Sequence, residues 1–178
     1  MRTIAMAVVL STFWLCAAPQ TQAALGVRMP LTDLVRNADS VVRGTIANST
    51  SYLDDKTGRI YTRHTLQVSH YLRGSGAQEI TVVTMGGELE DIGQMVPGEA
   101  RFYAGEEVVL CLKSRQKHFV PMGMSQGKFR VEKLKGKLTL VRDLSGIKFL
   151  GEKEDLPRKK AEKIPYQQFI QLIEGATP

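Results

Sequence analysis

Two long stretches with strand character, separated by three turn residues, set the first limit on the fold. "SVVRGTIANSTSYLDD" (40–55) runs into "KTG" (56–58), and "RIYTRHTLQVSHYLRG" (59–74) follows. In the second stretch Ile60, Thr62, His64, Leu66, Val68, His70 and Leu72 share one parity, while the other parity is mostly polar. That two-residue period belongs to a β-strand with one face turned to a core. A parallel sheet needs a helical crossover between its strands, and the middle of this chain has no helical pattern to supply one.

Further strands follow at close spacing. "EITVVTMGG" (79–87) reads as the third strand, closed by two glycines. "ELEDIGQMVPGEARFYAG" (88–105) reads as a long connection. "EEVVLCLKS" is the fourth strand, and "HFVPMGM", "GKFRVEK" and "KLTLVRD" give three more. Helical spacing is confined to the ends. "PLTDLVRNAD" (30–39) places Leu31, Leu34, Val35 and Ala38 on one stripe. "PYQQFIQLIEG" (165–175) does the same with Tyr166, Phe169, Ile170 and Ile173. The pattern predicts a mainly β fold: a small β-barrel with a short N-terminal helix and a C-terminal helix.

The first 23 residues read as a secretory signal peptide. Arg2 forms a positive n-region, 4–18 is apolar, and Thr21-Gln22-Ala23 is a small-x-small cleavage signal. The apolar run is short for a membrane span. Cys16 follows Leu15, where a bacterial lipobox has a small residue, so a lipid anchor is not expected. The expected organisation is a signal at 1–23, a β-barrel domain at 24–150, a charged linker at 151–163 and a C-terminal helix at 164–175. The expected location is outside the cytoplasm, periplasmic or extracellular.

The chain carries 24 basic and 18 acidic side chains. Losing Arg2 with the signal leaves a surplus of five. One stretch, 113–137, holds more than that surplus by itself: Lys113, Arg115, Lys117, Lys128, Arg130, Lys133, Lys135 and Lys137 against Glu132 alone. Such a run is either the solvated outer face of a hairpin or a surface for acidic glycan or nucleic acid. Lys128 and Arg130 alternate with Phe129 and Val131, which predicts charges outward and apolar residues inward.

Cys111 is the one cysteine expected in the mature chain, which excludes an internal disulfide. Val109 and Cys111 share one face of its strand, and Val108, Leu110 and Leu112 share the other. Both faces are apolar, so the thiol is expected to be buried and inert, unlike a nucleophile in an electropositive, open setting. His64 and His70 are six residues apart on one strand, roughly 20 Å at ~3.3 Å per residue, too far to share a metal ion. HExxH, paired CxxC, GxSxG, P-loop and EF-hand patterns are all missing. The Gly-Gly pair of "MGGELEDIGQ" precedes no helix and makes no phosphate cradle. The acidic "ELED" reads as a solvated loop, with weak calcium binding as its alternative. No cofactor, no metal and no catalytic set are expected.

The segments "LVRNADSVVRGTI", "DKTGRIYTRHTLQVSHYLRG" and "FYAGEEVVLCLK" resemble the netrin-like OB barrels, which include tissue inhibitors of metalloproteinases. The matching positions are Ala38-Asp39, Val41-Val42, Arg73-Gly74 and 105–110. The chain also resembles a group of uncharacterised exported bacterial proteins, through 96–110, 123–129 and 141–146. The resemblance implies an OB-like or netrin-like barrel acting as an exported recognition module. It does not bring zinc chelation with it, because the expected mature terminus, Ala24, has no cysteine near it. The functional expectation is a non-enzymatic binding module for a protein partner, an extracytoplasmic protease among the candidates. Binding of an acidic polymer through 113–137 is the alternative.

Overall fold

The computed structural model describes residues 23–151 and 161–176. The expected signal peptide, all but Ala23, lies outside the described residues. Two short segments open the fold, β1 (Ala24–Gly26) and α1 (Leu31–Asn37). The strands that follow are β2 (Ser40–Asp54), β3 (Arg59–Arg73), β4 (Glu79–Met85), β5 (Gly87–Leu89), β6 (Ile92–Gln94), β7 (Glu107–Arg115) and β8 (His118–Pro121). After a 3-10 turn come β9 (Lys128–Leu134), β10 (Lys137–Asp143), β11 (Ile147–Phe149), β12 (Ala161–Pro165) and the helix α2 (Tyr166–Ala176). The fold is mainly β, as the period predicts.

β2 and β3 pair antiparallel along their whole length, from Val41↔Arg73 to Asp54↔Arg59. The register shifts at Val41/Val42, Arg43/Gly44 and Ile46/Asn48. Such irregularities bend and twist a strand, which lets one long hairpin curve around a core. Gly44 sits at one of them. A Cβ there would lie 2.2 Å from the Gln67 carbonyl oxygen, so the close approach of the two backbones requires glycine. The shift also breaks the parity of β3. Ile60, Thr62, His64 and Leu66 are buried, but His70 is exposed.

β3 continues into β4, and β7 pairs with β2 from Ser40↔Leu112 to Thr45↔Glu107. β8 closes the circuit. It pairs antiparallel with the far end of β7 and meets β4 in parallel at Val82↔Phe119. The order β7–β2–β3–β4–β8 thus returns to β7, a sheet of five strands closed at a single parallel bridge. β9, β10 and β12 extend the sheet from the start of β7.

The two faces of this sheet hold separate cores. Inside the closed part, Val42, Ile46, Leu66, Val82, Val108 and Leu110 pack together. On the outer face α1 and α2 cover the sheet. Leu34, Val35, Phe169 and Ile173 pack there against Val41, Val109, Cys111 and Phe129. The expected helical stripes are the surfaces that dock. The Phe129 and Phe169 rings are 5.1 Å apart and tilted, a favourable aromatic geometry. Arg73 on β3 donates to the carbonyls of Val35 and Arg36, satisfying the open end of α1.

One expected boundary moves. Residues 161–163, read as the end of a charged linker, belong to β12, which pairs with β10 from Thr139↔Pro165 to Asp143↔Ala161. The helix accordingly starts at Tyr166. Charge misled the sequence reading here, because Glu162 is a counter-ion and not a solvating group. It takes the guanidinium of Arg142, whose side chain is 3% exposed, and that of Arg28 at 2.7 Å. Its neighbour Ile164 is buried in the outer core. The long connection at 88–105 also contains structure, since β5 and β6 form a small hairpin of their own.

Cys111 lies on β7 with no exposed surface, and burial pushes its thiol up to about 12. The native protein should therefore label with a thiol reagent only as fast as it unfolds. Phe129→Ala, which costs about 3–5 kcal/mol for a buried phenylalanine, should raise that rate markedly. Immediate labelling of the native wild type would show that β7 is open to solvent.

Candidate functional site

The inward face of β3 changes character along its length. Leu66 belongs to the inner core, but the next two inward residues are His64 and Thr62, both buried. Register brings hydroxyls to them from both neighbours. Ser49 and Ser51 on β2 stand opposite His64 and Thr62, and Thr84 on β4 stands opposite Thr62. One end of the closed sheet is thereby lined with hydroxyl groups around an imidazole.

Both ring nitrogens of His64 are engaged. Nδ1 lies 2.6 Å from Ser49 Oγ and Nε2 lies 2.9 Å from Thr84 Oγ1. A neutral imidazole has one donor and one acceptor, so one hydroxyl donates to the ring and the other accepts from it. The ring also packs against Phe102 at 4.6 Å between centroids. Burial, and secondarily the positive charge of Lys128, brings the imidazole down to about 4. It is neutral at ordinary pH and a weak base. Among the described residues no carboxylate stands behind it, since Thr84 occupies that place. The Ser49–His64 pair is thus a poor nucleophile–base couple, which needs a base able to hold a proton and a third group to steady it. Its chemistry is hydrogen bonding.

The connection between β4 and β7 roofs this end. Gly86 and Gly87 carry the chain directly over the hydroxyls, both with positive φ (89° and 144°). A Cβ on Gly87 would lie 2.4 Å from Ser51 Oγ and 2.4 Å from Thr62 Oγ1. Thr62 Oγ1 donates to the Gly86 carbonyl at 2.7 Å. The glycine pair serves close packing. Between roof and sheet is a cavity of about 680 Å³, reaching from His64 and Thr84 to Phe102, with Met95 and Tyr103 at its edge.

Three ionisable groups, Lys128, Glu106 and Glu99, stand around the roof. Lys128 reaches from β9 to Glu106, with Nζ 2.8 and 2.7 Å from the two carboxylate oxygens, and it also donates to the Arg101 carbonyl. Its ammonium lies over the Phe102 ring at 4.8 Å. Burial lowers its affinity for the proton, and Glu106 opposes that effect. Glu99 lines the cavity and accepts from the Ala100 amide at 3.0 Å. Burial raises its carboxyl above the usual range in spite of backbone amides from Ala100 and Met85.

The basic residues picked out by charge do not form one face. Lys128 is tied inward, against the expectation that it points out with Arg130. Its neighbourhood explains the difference: Glu106, with an 8% exposed side chain, needs a counter-ion inside the fold. Arg130 is exposed and paired with Glu132 at 2.5 Å. Lys113 is paired with Asp39 at 2.8 Å, and that carboxylate, also bonded to the Ser114 amide, is held below its ordinary range. Arg115 and Lys117 sit at the β7–β8 turn. Lys133, Lys135 and Lys137 surround the β9–β10 turn, where Lys135 and Gly136 both have positive φ. β9 pairs with the Val108–Leu110 end of β7, so the two turns point in opposite directions. Arg115 stands seven residues from Val108, roughly 23 Å at ~3.3 Å per residue, and the second turn lies farther on.

The hydroxyl–histidine cluster was missed by sequence reasoning. Its trace is the interruption of the inward stripe of β3 by Thr62 and His64. Which residues of β2 and β4 stand opposite depends on bulges that the sequence does not mark. No family model matches this chain, and no curated protein sequence is significantly similar to it.

The His64 protonation equilibrium has a definite sign. Its folded pKa is below the ordinary 6.5, so the unfolded chain binds the proton more readily between about 4 and 6.5. Stability contributed by the neutral ring is complete above that window and lost as pH falls through it, by at most about 3 kcal/mol. Glu99, raised by burial, works with the opposite sign. Subtracting the denaturation midpoints of His64→Gln from those of the wild type isolates the histidine. The difference should shrink steadily from pH 7 to pH 4. A constant difference would mean that His64 is not held neutral by the fold.

Proposed function

We propose that this chain is an exported, non-enzymatic recognition module built on an OB-type barrel, and that its partner is a protein. An extracytoplasmic protease is one candidate partner. The closed order β7–β2–β3–β4–β8 supports the barrel reading, because OB folds are five-stranded, partly open barrels that bind through one sheet face and its loops. The sequence of residues 1–23 supports export.

The observation that carries the reading is the surface of the roof. Ile92, Met95 and Tyr103 are 57, 75 and 65% exposed, all on the connection between β4 and β7. Met95 and Tyr103 stand together at the cavity edge. Exposed methionine and tyrosine are what protein interfaces are rich in, and such a group beside a cavity is a docking surface. The polymer-binding alternative has less support. A polyanion is held by a continuous row of available cations. Here the cations stand at two opposite ends of β7, and Lys113, Lys128 and Arg130 already pair with carboxylates.

Immobilised chains of residues 24–178 should retain a protein from the extracytoplasmic fraction of the source organism through high salt. The Met95→Asp/Tyr103→Asp variant should lose it by about tenfold or more, the scale of a central interface contact. The Lys133→Gln/Lys135→Gln/Lys137→Gln variant should keep it. Retention of polyanions alone, released by salt and lost in the glutamine variant, would replace this reading with the polymer one.

A further inference from the structure

We infer that the cavity beneath the roof receives a basic side chain, lysine or arginine, presented by the protein partner. The inference rests on the reading of the chain as a recognition module and names the chemistry of what it recognises.

The charge pattern around the cavity is the first argument. Glu99 and Glu88 line it, against Arg101. Among the described residues no cation stands at ion-pair distance from Glu99, which is held by backbone amides alone. The nearby ammonium of Lys128 is already bidentate on Glu106. A half-buried carboxylate without a counter-ion has lost water and gained no positive partner, so a cation brought to it gains more than it would at the open surface.

The lining gives the second argument. A lysine or arginine has an apolar stem and a head with several donors and no acceptor. The walls match both parts. Met85, Met95, Phe102 and Tyr103 offer thioether and aromatic surface for the stem and a π-face for the head. The hydroxyls of Ser51 and Thr84 are acceptors lining the same space, while the side-chain carbonyl of Gln94 is taken by the Ile60 amide at 2.8 Å. His64 stays neutral there, so it adds no repulsion. An acidic side chain would meet Glu99 and Glu88, and a purely apolar one would leave the half-buried Glu99 without a counter-ion.

The test uses four blocked peptides, acetyl-Leu-X-Leu-amide with X lysine, arginine, norleucine or glutamate, titrated into isotope-labelled chains of residues 24–178. Amide shifts of Thr84, Gly86, Gly87, Ala100 and Tyr103 are read by NMR. The lysine and arginine peptides should saturate those shifts, and the norleucine peptide should bind about tenfold more weakly or worse, as expected for loss of a partly desolvated charge pair. Glu99→Gln keeps an acceptor for the Ala100 amide, and unchanged shifts at Val41 and Val109 will show that it folds. In it the lysine peptide should fall to the level of norleucine. Equal binding of lysine and norleucine peptides to the wild type, or no shifts at those five amides with any peptide, overturns the inference without any variant. A captured protein partner that Glu99→Gln retains in full also overturns it, while the module reading stands. Saturable lysine binding with no captured partner upholds the cavity chemistry and removes the module reading.

Discussion

The middle of strand β7, Val108 to Leu112, has no wet face, and much of the architecture follows from that. Val109 and Cys111 press against the helices, while Val108, Leu110 and Leu112 press into the closed sheet. Its backbone amides and carbonyls are therefore cut off from water above and below, and neighbouring strands must satisfy them on both edges. β2 does so along one edge. The other edge is shared: β9 takes Val108 to Leu110 and β8 takes Leu112 to Arg115. The same need closes the five-stranded circuit at one end of β7 and extends the sheet toward β12 at the other.

The closed sheet is filled unevenly. Near β7 its interior is aliphatic, but toward the roof it becomes a row of hydroxyls with an imidazole at the centre. Thr62, His64 and Thr84 are buried and hydrogen-bonded, and such groups hold a specific arrangement and resist slippage of the strands. They also leave a floor that can exchange hydrogen bonds with something outside. The roof above it is held by one buried ion pair, Lys128–Glu106, and by a glycine pair that allows the chain to lie flat on the hydroxyls.

Periodicity made the strands and both helices legible, and the two faces of "VVLCL" could be read directly from its residues. The limits of sequence reading have a common physical cause. The role of a charge depends on what stands opposite it, and opposition is a property of register. Lys128 and Glu162 look alike in sequence to any solvated charge, yet each closes an ion pair with a partner far along the chain. Lys128 is 22 residues from Glu106, and Glu162 is 134 residues from Arg28. The hydroxyl–histidine cluster escaped for the same reason, since irregularities in β2 decide which serine meets His64.

The Glu162 clasp bears on the order in which the fold is completed. Arg142 is buried in β10, and a buried arginine without its counter-ion is strongly unfavourable. That counter-ion lies 20 residues downstream, and the same carboxylate also fastens Arg28 near the start of the described chain. During synthesis the chain must emerge as far as Glu162 before the buried Arg142 on β10 gains its counter-ion. Until then β10 also lacks its outer neighbour β12, so the incomplete chain is biased toward remaining open.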